Sequence, residues 1–229
     1  MTEKKKKRGR LLVISGFSGV GKGTVIRRLM EEHPGYAFSV SATTRAPRPG
    51  EIHGKDYFFV DNQTFDCWAE EGRFLEYARH LDKAYGTLRD HVEALREEGR
   101  DVILDIEVQG AVNVMAACPD AVSVYIIPPD GRELYRRILG RGTESPEQIR
   151  KRLTKAVAEV ELVPRYRHVV VNDQVEDVAR EIHQLLHRRR GLRLPKREAL
   201  KKTRQIRRDL EEILKEKDFC DTINNCISK

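Results

Sequence analysis

A glycine-rich loop between an apolar strand and a helical segment is the feature that most constrains the fold of this chain. The loop, Gly16-Phe-Ser-Gly-Val-Gly-Lys22, follows the apolar run Leu11–Ile14 and precedes an amphipathic stretch over residues 25–32. Glycines let backbone N–H groups approach phosphate oxygens, and the N-terminus of a following helix attracts the same anion. This order of strand, loop and helix predicts a nucleotide-phosphate site with Lys22 at the β- and γ-phosphates, rather than a glycine-rich turn without a ligand.

Further apolar runs indicate the fold class. Residues 102–106, 122–127 and 168–171 are apolar, and a helical pattern follows each of them. Strands that are apolar throughout and alternate with helices are typical of a parallel sheet with helices on both faces. We therefore predict a three-layer α/β/α fold in which ligands bind at the carboxyl ends of the strands.

Three stretches depart from this alternation. Residues 37–90 are rich in Thr, Tyr, Phe, Gly and Pro, which predicts a small β-rich insertion. Residues 130–165 combine helical periodicity with a high density of arginine, which predicts a helical, arginine-rich segment. Beyond Pro195, a thin apolar stripe from Ala199 to Ile213 marks one face of a basic helix. That helix is expected to dock on the domain or remain solvated, the alternatives being self-association or an acidic partner.

The positive charge is concentrated at the two ends. The chain of 229 residues has 43 Lys and Arg against 36 Asp and Glu, a net charge of +7. Residues 1–10 carry +5 and residues 188–229 carry +7, which leaves −5 for residues 11–187. A nucleic-acid-binding fold is therefore not indicated, although the basic ends are expected to contact acidic partners or nucleic acid non-specifically.

Composition also bears on compartment and metal content. The longest apolar stretch, Ala121–Ile127, is far shorter than the roughly 20 residues of a transmembrane helix, so no membrane partner is expected. No secretory segment is visible at the N-terminus, which predicts a cytoplasmic protein. The four cysteines form no CxxC pair or ligand cluster with histidine and are predicted to be reduced thiols: Cys67, Cys118, Cys220 and Cys226.

A second phosphate site is indicated by Arg45 and Arg48, which lie three residues apart in a proline-constrained segment. Two guanidinium groups at this spacing suit a phosphate distinct from the one at Lys22. Two phosphate sites on one scaffold suggest a transfer between them.

Several motifs follow one another along the chain. The most specific is Thr43-Thr-Arg-Ala-Pro-Arg48, and the others are the loop ending Gly21-Lys-Gly-Thr24, Phe74-Leu-Glu-Tyr77, Tyr85-Gly-Thr87, Leu104-Asp-Ile-Glu-Val-Gln-Gly110 and Gly140-Arg-Gly-Thr143. In these motifs and their order, the chain resembles guanylate kinases over roughly residues 10–188. The resemblance implies phosphoryl transfer from ATP to GMP, and to dGMP, giving ADP and GDP in purine nucleotide metabolism. Mg²⁺ is the implied cofactor.

The resemblance also implies which residues bind GMP. Arg45, Arg48, Tyr57 and Tyr85 would hold its phosphate, and Glu107 stands where many members have Asp near the base amine. Ser41, Glu76 and Thr87 would read guanine. The Glu76 carboxylate suits guanine because N1–H and N2–H₂ are adjacent donors, whereas adenine presents an acceptor at N1; the alternative is an ordinary surface acid. The full predicted GMP set is Ser41, Arg45, Arg48, Tyr57, Glu76, Tyr85, Thr87, Asp105 and Glu107.

ATP and the transferred phosphoryl group are assigned to the loop and to arginines of the 130–165 stretch, which would form a lid. Asp105 is the candidate for holding Mg²⁺ indirectly, because Gly23 replaces the usual Ser or Thr; the alternative is a strand-end acid that caps a turn. The predicted ATP-binding residues are Gly16, Phe17, Ser18, Gly19, Val20, Gly21, Lys22, Gly23 and Thr24. The predicted catalytic residues are Lys22, Arg45, Arg137, Arg141 and Arg152.

The predicted domain organisation follows from these stretches. Residues 1–9 form a basic disordered N-terminus, residues 10–188 the kinase-like domain and residues 189–229 a basic helical extension. Within the domain, 37–90 would bind GMP and 130–165 would form the lid. The protein is expected to be a monomer or a homodimer. The alternatives are a non-catalytic interaction module of the same fold and a related kinase that acts on a phosphorylated sugar.

Overall fold

The computed structural model describes residues 7–80, 82–140, 144–187 and 195–216. The strands are β1 (Leu11–Gly16), β2 (Tyr36–Phe38), β3 (Ser41–Thr43), β4 (Phe58–Phe59), β5 (Phe74–His80), β6 (Lys83–Leu88), β7 (Asp101–Asp105), β8 (Val122–Ile127) and β9 (His168–Val171). The helices are α1 (Lys22–Glu32), α2 (Asn62–Glu70), α3 (Arg89–Glu97), α4 (Val108–Ala117), α5 (Gly131–Leu139), α6 (Pro146–Glu159), a 3₁₀ turn (Val160–Arg165), α7 (Val175–His187) and α8 (Lys196–Lys215).

The main sheet has five strands in the order β2-β7-β1-β8-β9. The pairs β1–β7, β2–β7 and β8–β9 are parallel, and Val13 lies opposite Leu104 in the first of them. Both residues are buried, as expected for strands without an exposed face. The predicted α/β fold with a parallel sheet is therefore confirmed.

Contacts within the chain define two compact units, which are described separately. The first is Met1–Ile14 with Met30–Ser123, and the second is Ser15–Leu29 with Val124–Lys229. Among the described residues, Cys67 and Cys118 are free thiols, whereas Cys220 and Cys226 lie outside those ranges. None of the described helices is both long and apolar enough to cross a membrane.

The first unit contains a second, four-stranded sheet in the order β4-β3-β6-β5. Strand β6 runs antiparallel to both β3 and β5, and Phe74 and Phe65 stack beneath the sheet with ring centroids 4.6 Å apart. Phe65 belongs to α2, whose N-terminus is capped by the Asp61 carboxylate, which accepts from the Thr64 N–H at 2.7 Å. The composition of residues 37–90 did not indicate this helix.

A buried arginine attaches the start of the described chain to the first unit. The Arg96 side chain is 4% exposed; its Nε donates to the Gly9 carbonyl at 3.0 Å and its guanidinium pairs with Glu93 and Asp120. The Gly9 N–H donates in return to the Arg96 carbonyl at 2.7 Å. Because each polar group has a partner, burial of this charge is compensated.

The second unit contains α5, α6, α7, α8 and strand β9. Helix α6 begins at a capping box, in which Ser145 and Gln148 bond each other's backbone N–H groups and Pro146 occupies the first turn. The apolar stripe of α8 is buried, so this helix docks within the chain. Tyr125 and Tyr166 pack edge to face, with ring centroids 5.0 Å apart.

Glu181 on α7 makes folding of the second unit sensitive to pH. It lines a cavity of about 330 Å³ together with Arg167, His168 and Lys196, and burial raises its pKa from 4.5 to about 7. Since the folded protein binds this proton more tightly than the unfolded chain, the contribution of Glu181 to stability falls as the pH rises from 4.5 to about 7.

We therefore expect Glu181→Gln to stabilise the protein more at about pH 8 than at about pH 5. The Glu181 carboxyl group ionises between these values, whereas the amide of the variant does not. Urea unfolding of both proteins at the two pH values measures the difference. An equal effect of the substitution at both values would contradict the burial of Glu181.

Candidate functional site

The glycine-rich loop has a backbone that needs glycine at two positions. Gly19 and Gly21 adopt φ values of 90° and 91°, which L-residues with side chains rarely adopt. A Cβ atom on Gly19 would lie 2.6 Å from Ile138 Cγ1, and one on Gly21 would lie 2.8 Å from Asn172 Nδ2. The loop then enters α1, whose second residue is Gly23. This geometry has the form of a phosphate-binding loop at a helix N-terminus.

Two apolar residues anchor the loop from within the second unit. Phe17 and Val20 are buried, and Phe17 packs edge to face on Tyr125 with ring centroids 5.2 Å apart. Their side chains therefore contribute packing, and only their backbone groups are available to a nucleotide.

Asn172 is a loop contact that the sequence analysis missed. It follows β9 directly, and its Nδ2 donates to the Val20 carbonyl at 2.7 Å. Arg137 Nη1 donates to the same carbonyl at 3.1 Å. These two donors fix the position of this carbonyl. The signal available in the sequence was an amide side chain at the end of an apolar strand, where parallel sheets place ligand-binding residues.

Two of the predicted lid arginines contact the loop. Arg137 on α5 donates its Nε to Glu133 at 2.7 Å, in addition to its bond with Val20. Arg152 on α6 donates Nη1 to Ser18 Oγ at 2.7 Å and pairs through Nε with Glu144 at 2.6 Å. The structure thus brings both guanidinium groups to the loop. Arg141 lies outside the described residues.

Three predicted base-reading residues of the first unit lie side by side. Thr87 on β6 is opposite Ser41 on β3 and Glu76 on β5, and its hydroxyl donates to Glu76 Oε1 at 2.7 Å. Burial raises the pKa of the Glu76 carboxyl group, and the hydrogen bonds from Thr87 oppose this shift. A Cβ atom on Gly110 would lie 2.5 Å from Glu76 Oε2, so α4 approaches this carboxylate closely.

Two of the predicted phosphate-binding residues lie beside a third, Arg45. The two terminal nitrogens of Arg45 donate to the two carboxylate oxygens of Glu51, both at 2.9 Å. The guanidinium carbon lies 5.4 Å from the Tyr57 ring centroid, and the Tyr57 and Tyr85 rings are 6.2 Å apart. The structure therefore brings Arg45, Tyr57 and Tyr85 together.

Glu51 was not among the predicted site residues. It also accepts from the backbone N–H of Arg48 at 2.7 Å, and these bonds, first among them the one from Arg45, lower its pKa. The Arg48 side chain itself is exposed. A bidentate pair of this kind orients the guanidinium plane and leaves its outer edge for another anion.

The two remaining acids stand at the end of β7 and just beyond it. Asp105 is its last residue, lies opposite Ile14 and is exposed, while Glu107 is the residue that precedes α4. The part of the chain that the structure describes holds no group of three or more metal-ligating side chains. A carboxylate oxygen of Asp105 is nevertheless the hard ligand type that Mg²⁺ prefers, and the Cβ position of Gly23 faces open space.

Comparison with known proteins places these sites in a family. The family model described as guanylate kinase matches residues 8–189. A guanylate kinase of Thermus thermophilus is 44% identical over 212 residues, covering 91% of this chain and 96% of the relative. One from Trichodesmium erythraeum is 46% identical over 178 residues, covering 78% and 96%.

A solved structure agrees with the sequence matches. The crystal structure of guanylate kinase from Anaplasma phagocytophilum superposes with a TM-score of 0.62 at 32% identity, covering 86% of this chain and 95% of the other. The family match spans well over half of the chain and the relatives are aligned over nearly their whole length. The chain therefore belongs to the guanylate kinase family of nucleotide-binding transferases.

Proposed function

We propose that this protein transfers the γ-phosphoryl group of ATP to GMP, and to dGMP, forming ADP and GDP within purine nucleotide metabolism. The observation that carries this proposal is the half-buried Glu76 carboxylate, held by Thr87 and approached closely by α4 at Gly110. Such a carboxylate accepts the adjacent N1–H and N2–H₂ donors of guanine and repels the N1 acceptor of adenine. Ser41, which lies opposite Thr87 on β3, would add a further polar contact to the base.

The phosphate of GMP would bind to the group around Arg45. Glu51 orients the Arg45 guanidinium, and Tyr57 and Tyr85, whose rings lie near it and near each other, would add phenol hydroxyls. Arg48 would supply a second guanidinium. Because the second pKa of a phosphate monoester lies near 6, GMP is largely dianionic at neutral pH and its phosphate can attack without a dedicated base. Residues Asp105 and Glu107 complete the proposed GMP set.

On the ATP side, residues 16–24 would hold the phosphates and Lys22 would contact the β- and γ-phosphates. Arg137 and Arg152 contact the loop already and would compensate the charge that spreads over the transferred phosphoryl group. Arg141 is proposed for the same role on the resemblance alone. Arginines on a segment that closes over the nucleotide would also exclude water, and this favours transfer over hydrolysis of ATP.

Mg²⁺ is the proposed cofactor, and its chemistry when bound would be to neutralise negative charge on the ATP phosphates. Asp105 would hold the ion through water, since Gly23 carries no hydroxyl and Mg²⁺ commonly keeps several waters. A carboxylate at the end of a parallel strand fits that indirect role.

The setting of the activity is also proposed. Residues 10–188 would form the catalytic domain of a cytoplasmic monomer or homodimer, and the match of the family model to residues 8–189 supports those limits. The basic ends, 1–9 and 189–229, would contact acidic partners or nucleic acid without sequence preference. Contacts of Arg137 and Arg152 with the loop favour an enzyme over a non-catalytic interaction module, and Glu76 favours a base over a phosphorylated sugar.

A panel of nucleoside monophosphates tests the proposed substrate. ADP release is followed in a coupled assay with ATP and Mg²⁺. The kcat/KM for GMP is expected to be at least about 100-fold higher than that for AMP, CMP or UMP. dGMP is expected to be accepted. Comparable rates with AMP and GMP would contradict the role of Glu76.

Replacement of Glu76 tests the base-reading site directly. Glu76→Gln is expected to raise the KM for GMP about 10- to 100-fold, because an amide N–H₂ replaces an acceptor that faces guanine donors. The KM for ATP is expected to stay within about twofold, because Glu76 is not among the residues proposed to contact ATP. Glu70→Gln, an exposed acid of the same unit, is the control. An unchanged KM for GMP in Glu76→Gln would refute the assignment.

Replacement of Lys22 tests the phosphate loop. Lys22→Ala is expected to reduce kcat about 100- to 1,000-fold, the range typical for removing one group that stabilises transition-state charge. Arg27→Ala, an exposed cation on the same helix, serves as the control. Circular dichroism verifies that both variants fold, and near-normal turnover of Lys22→Ala would show that the loop has another role.

A further inference from the structure

Helix α8 lies beyond the residues that the family model matches, yet it packs on the two helices that carry Arg137 and Arg152. The family match ends at residue 189, and α8 spans Lys196–Lys215. It contacts α5, α6, the 3₁₀ turn and β9. Its inward face is almost completely removed from solvent, each residue being at most 5% exposed: Ala199, Thr203, Ile206, Leu210 and Ile213.

The N-terminus of α5 is bonded by a carboxylate of α8. Asp209 Oδ2 accepts from the backbone N–H of Gly131 at 3.0 Å, and Gln205 Nε2 orients this carboxylate by donating to Oδ1 at 2.7 Å. Asp130 caps the same turn by accepting from the N–H of Glu133 at 2.7 Å. Two carboxylates therefore satisfy N–H groups that lack partners within the helix and lie at its positive end.

The approach of α8 to α5 requires a glycine. A Cβ atom on Gly131 would lie 2.5 Å from Asp209 Cβ and 2.9 Å from the Ile206 carbonyl oxygen. Such distances can be relieved only by moving one helix away from the other. Arg137 lies six residues along the same rigid helix, so displacement of its first turn displaces the guanidinium that contacts Val20.

A second contact holds the end of α6. Arg207 of α8 pairs with Glu161 in the 3₁₀ turn that follows α6, and its Nε donates to Glu211 at 2.8 Å. The helix thus contacts the start of α5 through Asp209 and the turn after α6 through Arg207. Arg152 lies on α6, between those two points in the sequence.

We propose that α8 is a strap that positions the α5–α6 segment against the phosphate loop, with Asp209 as a positioning residue for Arg137. This inference rests on the proposed function, since its kinetic consequence assumes that Arg137 and Arg152 act on ATP. The strap acts on the ATP side alone. All residues proposed for GMP belong to the first unit, whereas α5, α6, α8 and the loop belong to the second.

Asp209→Ala in the full-length chain tests the strap. Removal of the carboxylate leaves the first turn of α5 less constrained, so its backbone amides are expected to exchange hydrogen about tenfold faster. The KM for ATP is expected to rise about tenfold, while the KM for GMP stays within about twofold. Asp209→Asn keeps an acceptor oxygen and is expected to restore most of the wild-type behaviour. Glu212→Ala, an exposed acid on the same helix, is the control.

A second variant approaches the same contact from the other helix. Gly131→Ala is expected to reproduce the selective increase in the KM for ATP, because its methyl group separates α8 from α5. Both variants are assayed well below their midpoints of thermal unfolding, so that loss of folded protein does not contribute.

The outcomes separate this inference from the proposed function. Faster exchange in α5 without a change in the KM for ATP would reduce α8 to a structural helix and overturn the strap. Unchanged exchange in Asp209→Ala would overturn it as well. If the wild-type protein failed to phosphorylate GMP, the proposed function would fall, and a selective change in α5 exchange would still support the contact on which the strap depends.

Discussion

The geometry of the candidate ATP site depends on the backbone carbonyl of Val20. Its oxygen accepts from Asn172 Nδ2 at 2.7 Å and from Arg137 Nη1 at 3.1 Å, so two distant elements bond one atom of the loop. With the carbonyl held in this direction, the loop can keep the left-handed glycines on either side and present N–H groups to an anion. A shift of α5 would consequently move the loop as well. The packing of α8 on α5 therefore bears on the geometry of the candidate ATP site.

The phosphate-binding and base-reading groups proposed for GMP differ in how their charged side chains are paired. Arg45 is paired in bidentate fashion with Glu51, and this carboxylate compensates much of the positive charge of Arg45. The pairing also orients the planar guanidinium, which can still donate from its other edge. Among the residues that the structure describes, the side chain that donates to Glu76 is the neutral Thr87, and burial raises the pKa of Glu76. The N–H donors of bound guanine would replace the hydrogen bonds to water that this carboxylate loses on burial, and they would thereby stabilise its charge.

Much of the fold could be predicted from the chain alone, because its strongest patterns are local. The runs Leu11–Ile14 and Val102–Leu104 are apolar throughout, and a strand, a glycine loop and a helix in succession have few alternative arrangements. The base-reading group was accessible through the resemblance of Phe74–Tyr77 and Tyr85–Thr87 to a known family. By contrast, Glu51 carried no pattern that separated it from ordinary surface acids, and Asn172 carried only its place at the end of an apolar strand. The partner of Asn172, Val20, lies 152 residues away and is brought near it by folding.

The sequence by itself determined the class of chemistry, because Gly19, Gly21 and Lys22 satisfy steric and electrostatic requirements that operate within a few residues of each other. It also located the basic charge at the two ends. Only the tertiary structure decided which partners orient the functional groups: Asn172 for the loop, Glu51 for Arg45, and Asp209 for the first turn of α5. The physical reason is that these hydrogen bonds depend on backbone positions within a few tenths of an ångström, and folding and packing set those positions.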